Sequence, residues 1–250
     1  MPAWAGPDPQ TAAVAPLPPG LDIQLLERSG DWGHVLCSNG WSAWDDARLL
    51  EPHPAAGATS RMVTEPVVDV TAALRGVSFW GWHTDFTVAD QTGTQIGSGA
   101  GLGRRGQIAG SGFMLEDPQH GRVIQVRPTR DKHLIVSDGS DREIGRIGRE
   151  AKGLKGRVKP NYPLEAQGAV LAQITTDTHW ANRWTASDPA GAEIARITDT
   201  TKVGILRKRS ATCRIEIHYP VALPLRILLL AAGAERATFR MKYYSRPRSR

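Results

Sequence analysis

The stretch Trp184-Thr-Ala-Ser-Asp188-Pro-Ala-Gly191-Ala-Glu-Ile194-Ala-Arg-Ile197 is one copy of a unit that recurs along the chain. Apolar residues alternate on both sides of a short turn, which predicts two strands joined in a β-hairpin. The Asp is expected to cap the turn through its side chain, and the Gly supplies a positive φ. The carboxylate therefore serves backbone geometry rather than metal binding. The three other copies are Phe86–Ile96, Phe113–Val123 and Leu134–Ile147.

Further strands lie between these copies, such as Val123–Arg127 and Val170–Ile174. Many short strands with turns at this spacing predict an all-β sandwich or barrel. Near the end of the chain, Thr212–Tyr219 is predicted to be one more strand.

A Leu- and Ala-rich segment, residues 221–234, follows this strand and is predicted to be a helix that stops at Gly233. The segment is apolar on nearly every side, which predicts a buried helix. Arg226 interrupts it, and it is shorter than the roughly 20 apolar residues of a transmembrane helix. Thr238–Tyr244 is expected to add either a last strand or a basic tail.

Charge is distributed unevenly between the two parts of the chain. Residues 1–60 hold two basic and seven acidic side chains, a net charge of −5. Because the whole chain has a net charge of +6, the remaining residues have a net charge of +11. Residues 53–66 are small and polar and include two prolines, which is typical of a linker. We therefore predict an acidic head at 1–52, a linker at 53–66 and a basic body at 67–250.

The head is expected to be a small antiparallel β unit. A turn at Ser29–Asp31 joins Ile23–Arg28 to Trp32–Cys37, and an Asn-Gly turn then precedes Trp41. The Gly-Asp-Trp turn followed by the Gly-Trp strand resembles a bacterial Src homology 3 (SH3) type barrel. The resemblance implies peptide or cell-wall binding through surface aromatics. Trp32 is predicted to pack in the core, and the candidate peptide-binding residues are Trp4, Trp41 and Trp44.

The body resembles a second family. Hairpins of the form apolar-x-apolar-x-Asp-x-x-Gly, ending in a Leu/Ala-rich helix, are similar to the tubby C-terminal-like barrel. The nearest branch is that of the phospholipid-scramblase-related and LURP-one-related proteins, and the resemblance spans residues 79–235. It implies a closed antiparallel β-barrel of about twelve strands around a central C-terminal helix. It also implies a calcium-binding acidic segment before the helix, but Lys202–Arg214 has no carboxylate, so calcium binding is not expected.

No motif of catalysis or cofactor binding fits its required context. Gly101–Gly106 matches GxGxxG, but the glycine-rich sequence around it cannot supply the helix that a dinucleotide site needs. We expect a hairpin loop there, with phosphate contact by Arg104 and Arg105 as an alternative. The Walker, GxSxG, HExxH and paired Cys–His patterns are absent from the sequence. The sequence therefore predicts a non-enzymatic protein without cofactor or metal.

Basic residues of the body fall into clusters, which are either solvated faces or sites for an anionic partner. RNA recognition needs interleaved stacking aromatics, which the clusters largely lack, so we rank nucleic acid below lipid. A further group, Arg240 to Arg250, is expected in the tail. The candidate anion-binding residues are Lys152, Lys155, Arg157, Lys159, Lys202, Arg207, Lys208, Arg209 and Arg214.

The sequence has no secretory signal at its start, and its two cysteines, Cys37 and Cys213, are far apart and expected to be free thiols. These features predict a cytoplasmic protein, and the basic body predicts peripheral contact with the membrane inner face. We expect an adaptor with a peptide- or protein-binding SH3-like head and a basic barrel that docks on anionic phospholipid or another anionic partner. Two alternatives are a scramblase-like, bilayer-remodelling protein and a small-ligand carrier.

Overall fold

The structure is a computed structural model of the 250-residue chain. Its description covers residues 2–8, 10–16, 23–37, 41–50, 60–77, 81–104, 112–131, 133–148, 150–152, 159–176, 181–201, 210–219 and 221–245.

The head contains five short strands in two small sheets. Its main sheet is antiparallel, in the order β3-β4-β5, and has its own small core around Val35, Cys37 and Ala43. The backbone of Trp4 pairs with that of Trp44, which attaches the chain start to the edge strand of the main sheet. The head strands are β1 (Pro2–Ala3), β2 (Ala15–Pro16), β3 (Ile23–Ser29), β4 (Trp32–Cys37) and β5 (Ser42–Asp46).

The body is a closed antiparallel β-barrel with one helix inside it, as the sequence predicts. Twelve strands form the ring, which closes where β12 pairs with β14 and where β18 pairs with β6. Strand β13 continues the line of β12 and pairs with the same edge of β14 in the same register. The elements of the body are α1 (Arg61–Thr64), β6 (Val67–Val77), β7 (Gly81–Asp90), β8 (Gln95–Arg104), β9 (Gly112–Asp117), β10 (Gly121–Pro128), β11 (Leu134–Asp138), β12 (Glu143–Ile147), β13 (Glu150–Lys152), β14 (Lys159–Ala166), β15 (Ala169–Thr175), β16 (Arg183–Ser187), β17 (Glu193–Asp199), β18 (Ser210–Ile217) and α2 (Leu223–Ser245).

The four repeated hairpins have the geometry that their sequences predict. In the copy that joins β16 to β17, Asp188 Oδ1 accepts the backbone N–H of Ala192, and Gly191 has a φ of +90°. In the copy that joins β11 to β12, Asp141 takes the left-handed position with a φ of +65°. Asp90 and Asp117 likewise accept backbone N–H groups of their own turns. The recurring Asp is therefore a turn cap.

The glycine-rich stretch that matches GxGxxG differs from the hairpin loop expected for it. Residues up to Arg104 continue strand β8, and Gly101 pairs with Thr84 on one side and Phe113 on the other. Small residues are needed along this strand because neighbouring atoms lie close to its backbone. A Cβ atom on Gly97 would overlap Met62 Sδ, and one on Gly99 would overlap the carbonyl oxygen of Met114. Arg105 lies outside the described residues.

Helix α2 fills the barrel and is longer than residues 221–234. It continues to Ser245, so Thr238–Tyr244 is neither a strand nor a tail. Gly233 therefore does not stop the helix. A glycine is needed there for close packing, since a Cβ atom at this position would overlap the side chain of Ile215 on β18. The helix residues that are almost fully buried include Ile227, Leu228, Leu229, Leu230, Ala231, Ala234, Ala237 and Met241.

The last residues of the predicted linker also belong to the barrel. Ser60 Oγ donates a 2.6 Å hydrogen bond to Asp117 and accepts the backbone N–H of Met62, which starts α1. Met62 and Val63 are buried in the barrel core. Arg226 of α2 donates hydrogen bonds to the carbonyl oxygens of Val63 and Thr64. The barrel therefore begins at Ser60 rather than at Val67.

Candidate functional site

The barrel has two chemically different ends, which follow from the direction of its strands. One end, the turn rim, holds the hairpin turns of Asp90, Asp117, Asp138 and Asp188, together with α1 and the start of α2. The other end, the helix-end rim, holds the last residue of β17, Asp199, beside Arg240 of α2. Because neighbouring strands are antiparallel, successive connections alternate between these two ends.

By sequence, the charge of the body is concentrated in the connections of one rim. The residues that lie between strands at the helix-end rim in the sequence, with residues 246–250 after α2, hold 13 basic and two acidic side chains, a net charge of +11, and most of them lie outside the described residues. The connections at the turn rim, including residues 60–66 and 218–222, have a net charge of −1.

Most of the candidate anion-binding residues lie, by sequence, between described strand ends of the helix-end rim. Lys152 and Lys159 are paired through their backbones, where β13 meets β14. Lys155, Arg157, Lys202, Arg207, Lys208 and Arg209 lie outside the described residues. The described strand ends on either side of them, Lys152 with Lys159 and Asp199 with Ser210, all belong to this rim.

Arg214, the last of these candidates, lies on the barrel wall and already has an acidic partner. Its guanidinium donates to both carboxylate oxygens of Asp69, at 2.9 and 2.8 Å. This bidentate geometry raises the pKa of Arg214. The pair joins β18 to β6, so Arg214 serves the closure of the ring.

Two arginines of α2, Arg236 and Arg240, are buried at the helix-end rim, and Arg240 falls in the segment 238–244 that was expected to be a last strand or a basic tail. Arg240 Nε lies 2.8 Å from Asp199 Oδ2, and its Nη2 donates to the carbonyl oxygen of Ala181 and to Asn182 Oδ1. Arg236, one turn earlier, donates to the same Ala181 carbonyl. Burial, and secondarily the positive charge of Arg240, lowers the pKa of Arg236 to about 10.

Aromatic rings lie against Arg236, the first of these two arginines. The Arg236 guanidinium lies 4.2 Å from the centre of the Trp184 ring, and Trp184 stacks on Tyr162 at 4.9 Å. The stacking partly compensates the guanidinium for its lost water. The arginines therefore hold the segment that joins β15 to β16 onto the end of the helix. Sequence reasoning missed this cluster, although basic residues so close to a Leu- and Ala-rich segment were a usable signal.

Burial shifts the pKa of two more groups near this rim. It lowers the pKa of Lys242, and it raises the pKa of the Cys213 thiol to about 12, with a further contribution from Asp199. A thiol with that pKa is almost entirely protonated at neutral pH, which makes it a poor nucleophile.

The candidate peptide-binding tryptophans of the head are half-buried and take part in ring contacts or in core packing. Trp44 stacks on His34, with ring centres 5.0 Å apart, and Trp4 contacts Trp32 edge-to-face at the same distance. Trp41 packs against the small head core. Each of these tryptophans is partly accessible, and the head also exposes the apolar side chains of Val14, Leu25, Leu26 and Leu49.

Among the residues that the structure describes, no group of three or more His, Cys, Asp or Glu side chains is arranged to hold a metal ion. In the same part of the chain, no helix has both the length and the hydropathy to cross a bilayer.

The sequence was compared with protein-family models and with curated proteins, and no member of either set matches it.

Proposed function

We propose that this protein is a non-enzymatic adaptor at the inner face of a membrane. The basic barrel docks on anionic phospholipid, and the SH3-like head binds a peptide or protein partner. The barrel is proposed to be a relative of the tubby-like and scramblase-related proteins, and its ring of twelve antiparallel strands around a C-terminal helix supports that assignment.

The observation that carries the lipid proposal is the separation of charge between the two rims. Basic residues spread along the sequence contribute to one surface only if the fold collects them at one end. In support of this, the described strand ends that flank residues 153–158 and 202–209 belong to the helix-end rim. Each basic residue near an anionic membrane contributes about 1 kcal/mol to binding.

Ion pairs occur at both rims, and the helix-end rim has the buried Arg240–Asp199 pair. At the turn rim, Arg61 pairs with both Glu65 and Asp90, and Arg142 pairs with Asp138. Basic side chains that are neutralised locally contribute little to long-range attraction. At the helix-end rim, the sequence of the connections supplies few carboxylates for such pairing.

The barrel interior gives the small-ligand alternative less support. Leucines of α2 occupy the centre, and the cavity between Met62, Ile215 and Leu230 has a volume of about 10 Å³. That volume is at the lower limit for one water molecule. A carrier would need the helix to leave the barrel, at the cost of its buried apolar surface.

Vesicle sedimentation of the full chain tests the proposal. We expect the protein to sediment with vesicles that contain an anionic phospholipid, and hardly at all with vesicles of neutral lipid. Binding should weaken as salt shortens the Debye length from about 10 Å at 0.1 M to about 3 Å at 1 M. Added calcium should make no difference, because Lys202–Arg214 has no carboxylate.

Other results would contradict lipid docking. Salt-insensitive binding to neutral vesicles would indicate hydrophobic insertion and favour the scramblase-like alternative. If the protein binds no vesicle but binds a nucleic acid or an acidic protein, that molecule is the partner of the basic residues and the lipid proposal is wrong.

A further inference from the structure

A notch in the outer wall of the barrel lies across strands β6, β7 and β8, close to the helix-end rim where β6 ends. Its volume is about 250 Å³, slightly below the range of about 300–1,000 Å³ that is typical of sites for drug-sized ligands. The notch therefore fits a small molecule or one end of a larger one. The residues that line it are Arg75, His83, Thr84, Asp85, Ala100 and Gly101.

A β-bulge supplies the positive charge of this notch. In the pairing of β6 with β7, Leu74 lies opposite Thr84 and Gly76 lies opposite His83, so Arg75 is an extra residue in the ladder. Bulges re-aim a side chain and are over-represented next to functional sites. The Arg75 side chain is 76% exposed, so its guanidinium is accessible to a ligand.

Asp85 supplies a negative charge beside this guanidinium. Its Oδ1 atom lies 3.9 Å from Nη1 of Arg75, which is longer than a hydrogen bond. The pair of Arg214 and Asp69, also on the barrel wall, is closed at 2.8 Å. Arg75 and Asp85 therefore keep donor and acceptor capacity that a ligand can use.

The other side of the notch is formed by small residues of β8. Ala100 lies opposite Asp85 and Gly101 lies opposite Thr84 in the ladder between β7 and β8. Neither residue has a side chain larger than a methyl group, so a ligand can approach the sheet beside the two charges. The exposed imidazole of His83 adds another hydrogen-bonding group.

This combination of charges favours a zwitterion over a simple anion. An anion is attracted by Arg75 but repelled by Asp85, which lies only 3.9 Å from it. A ligand whose carboxylate and ammonium are attached to one carbon atom presents both charges close together, because the bonds between them are about 1.5 Å long. Its carboxylate can accept from the guanidinium fork, while its ammonium donates to the Asp85 carboxylate.

We infer that the notch binds an α-amino carboxylate, with Arg75 on the carboxylate and Asp85 on the ammonium. This group occurs in free amino acids and in the headgroup of serine phospholipids, which are anionic. Binding of a free amino acid is independent of the proposed lipid docking. Binding of a serine headgroup rests on that proposed function and adds to it the kind of anionic lipid that is recognised.

Titration with L-serine, followed by NMR of the histidine ring protons, tests the site. The signal of His83 is identified by its loss in the variant His83→Gln. We expect this signal to shift saturably with L-serine, and much less with ethanolamine or lactate, because each of these lacks one of the two charges. Asp85→Asn and Arg75→Gln should each weaken L-serine binding about tenfold, since each removes a charge-assisted hydrogen bond.

Arg146→Gln is the matched control. Arg146 is also exposed on the barrel, but its pair with Glu143 is closed at 2.8 Å, so this change should leave L-serine binding as it is. The substituted side chains are all largely exposed, so the melting temperature should stay at that of the wild type. A response to L-serine no larger than that to ethanolamine and lactate, or one that Asp85→Asn leaves unchanged, overturns the site.

Vesicles of equal surface charge distinguish the two sources of the group. Stronger sedimentation with phosphatidylserine than with phosphatidylglycerol, and loss of this preference in Asp85→Asn, would identify the serine headgroup as the ligand. Equal sedimentation with both lipids, together with the response to L-serine, would identify a free amino acid. Sedimentation with neither lipid overturns the proposed lipid docking, whereas the L-serine titration decides the notch on its own.

Discussion

The Nε atom of Arg240 lies 2.8 Å from Oδ2 of Asp199, and the two side chains are only 4% and 3% exposed. The pair joins the C-terminal half of α2 to the end of β17. It allows a basic helix end to be buried inside a β-barrel, because the charge meets a carboxylate, a backbone carbonyl and an amide oxygen.

Removing one partner of this pair should be strongly destabilising. Asp199→Leu leaves a buried guanidinium without its carboxylate, and we expect a loss of about 3–5 kcal/mol in the free energy of unfolding. The double variant Asp199→Leu/Arg240→Met should lose less than the sum of the two single variants, because it contains no uncompensated charge. The matched control is Asp69→Asn at the more exposed pair with Arg214, which should cost at most about 1 kcal/mol. Urea unfolding measures all four, and additive single effects would argue against coupling of the pair.

The contact between Gly233 and Ile215 predicts an unusual effect of alanine in a helix. In an exposed helix Gly→Ala stabilises by about 0.5–1 kcal/mol. Here we expect Gly233→Ala to destabilise by about 1–3 kcal/mol, because the new Cβ overlaps the Ile215 side chain. Adding Ile215→Val removes the Cδ1 atom and should recover part of the loss. A higher melting temperature for Gly233→Ala alone would show that the helix and β18 are not closely packed.

Acid should weaken the turn rim. The hydrogen bond from Thr92, followed by the pairing with Arg61 and the turn N–H groups, lowers the pKa of Asp90 to about 2. A carboxylate whose pKa is lower in the folded state stabilises the fold above its unfolded pKa of about 4, and the stabilisation is lost as pH falls toward 2. Asp90→Asn should therefore flatten the decline of melting temperature between about pH 4 and pH 2. An unchanged slope in this variant would contradict the role of Asp90.

The position of Ser60 predicts where the barrel can be shortened. A fragment of residues 60–250 keeps the Ser60–Asp117 hydrogen bond and the buried Met62 and Val63, whereas 67–250 loses them. We expect the shorter fragment to melt at a clearly lower temperature, since burial of one such apolar side chain is worth about 1.5–3 kcal/mol. Equal melting temperatures of the two fragments would show that residues 60–66 do not stabilise the barrel and belong to the linker.

The features that local sequence predicts well are those that local chemistry determines. The Asp-capped hairpins could be identified because each cap binds backbone groups within four residues of itself. The buried helix could be identified because its apolar residues surround it on all sides. Many short strands predicted a sandwich or a barrel. That the barrel is closed was implied by the resemblance of its hairpins to those of the tubby C-terminal-like barrel.

The features that could not be predicted depend on contacts between distant residues. Gly233 looks like a helix stop until Ile215 is placed against it, and Arg240 looks like part of a tail until Asp199 reaches it. Arg214 looked free for an anion, but Asp69, far away in sequence, binds it. The separation of charge between the rims is likewise invisible in a linear sequence, because it depends on which end of the barrel each connection joins.

The most direct test of the central claim is charge reversal in the vesicle sedimentation assay. The full-length triple variant Arg207→Glu/Lys208→Glu/Arg209→Glu alters a helix-end connection, and Arg28→Glu/Arg48→Glu makes the same kind of change in the head. At about 1 kcal/mol for each basic residue lost, and with added repulsion from each new carboxylate, the triple variant should bind anionic vesicles at least about 100-fold more weakly than the wild type. The head variant should bind nearly as the wild type does. If the triple variant binds anionic vesicles as tightly as the wild type, or if the head variant loses as much affinity as the triple variant, the helix-end connections do not hold this protein on a membrane.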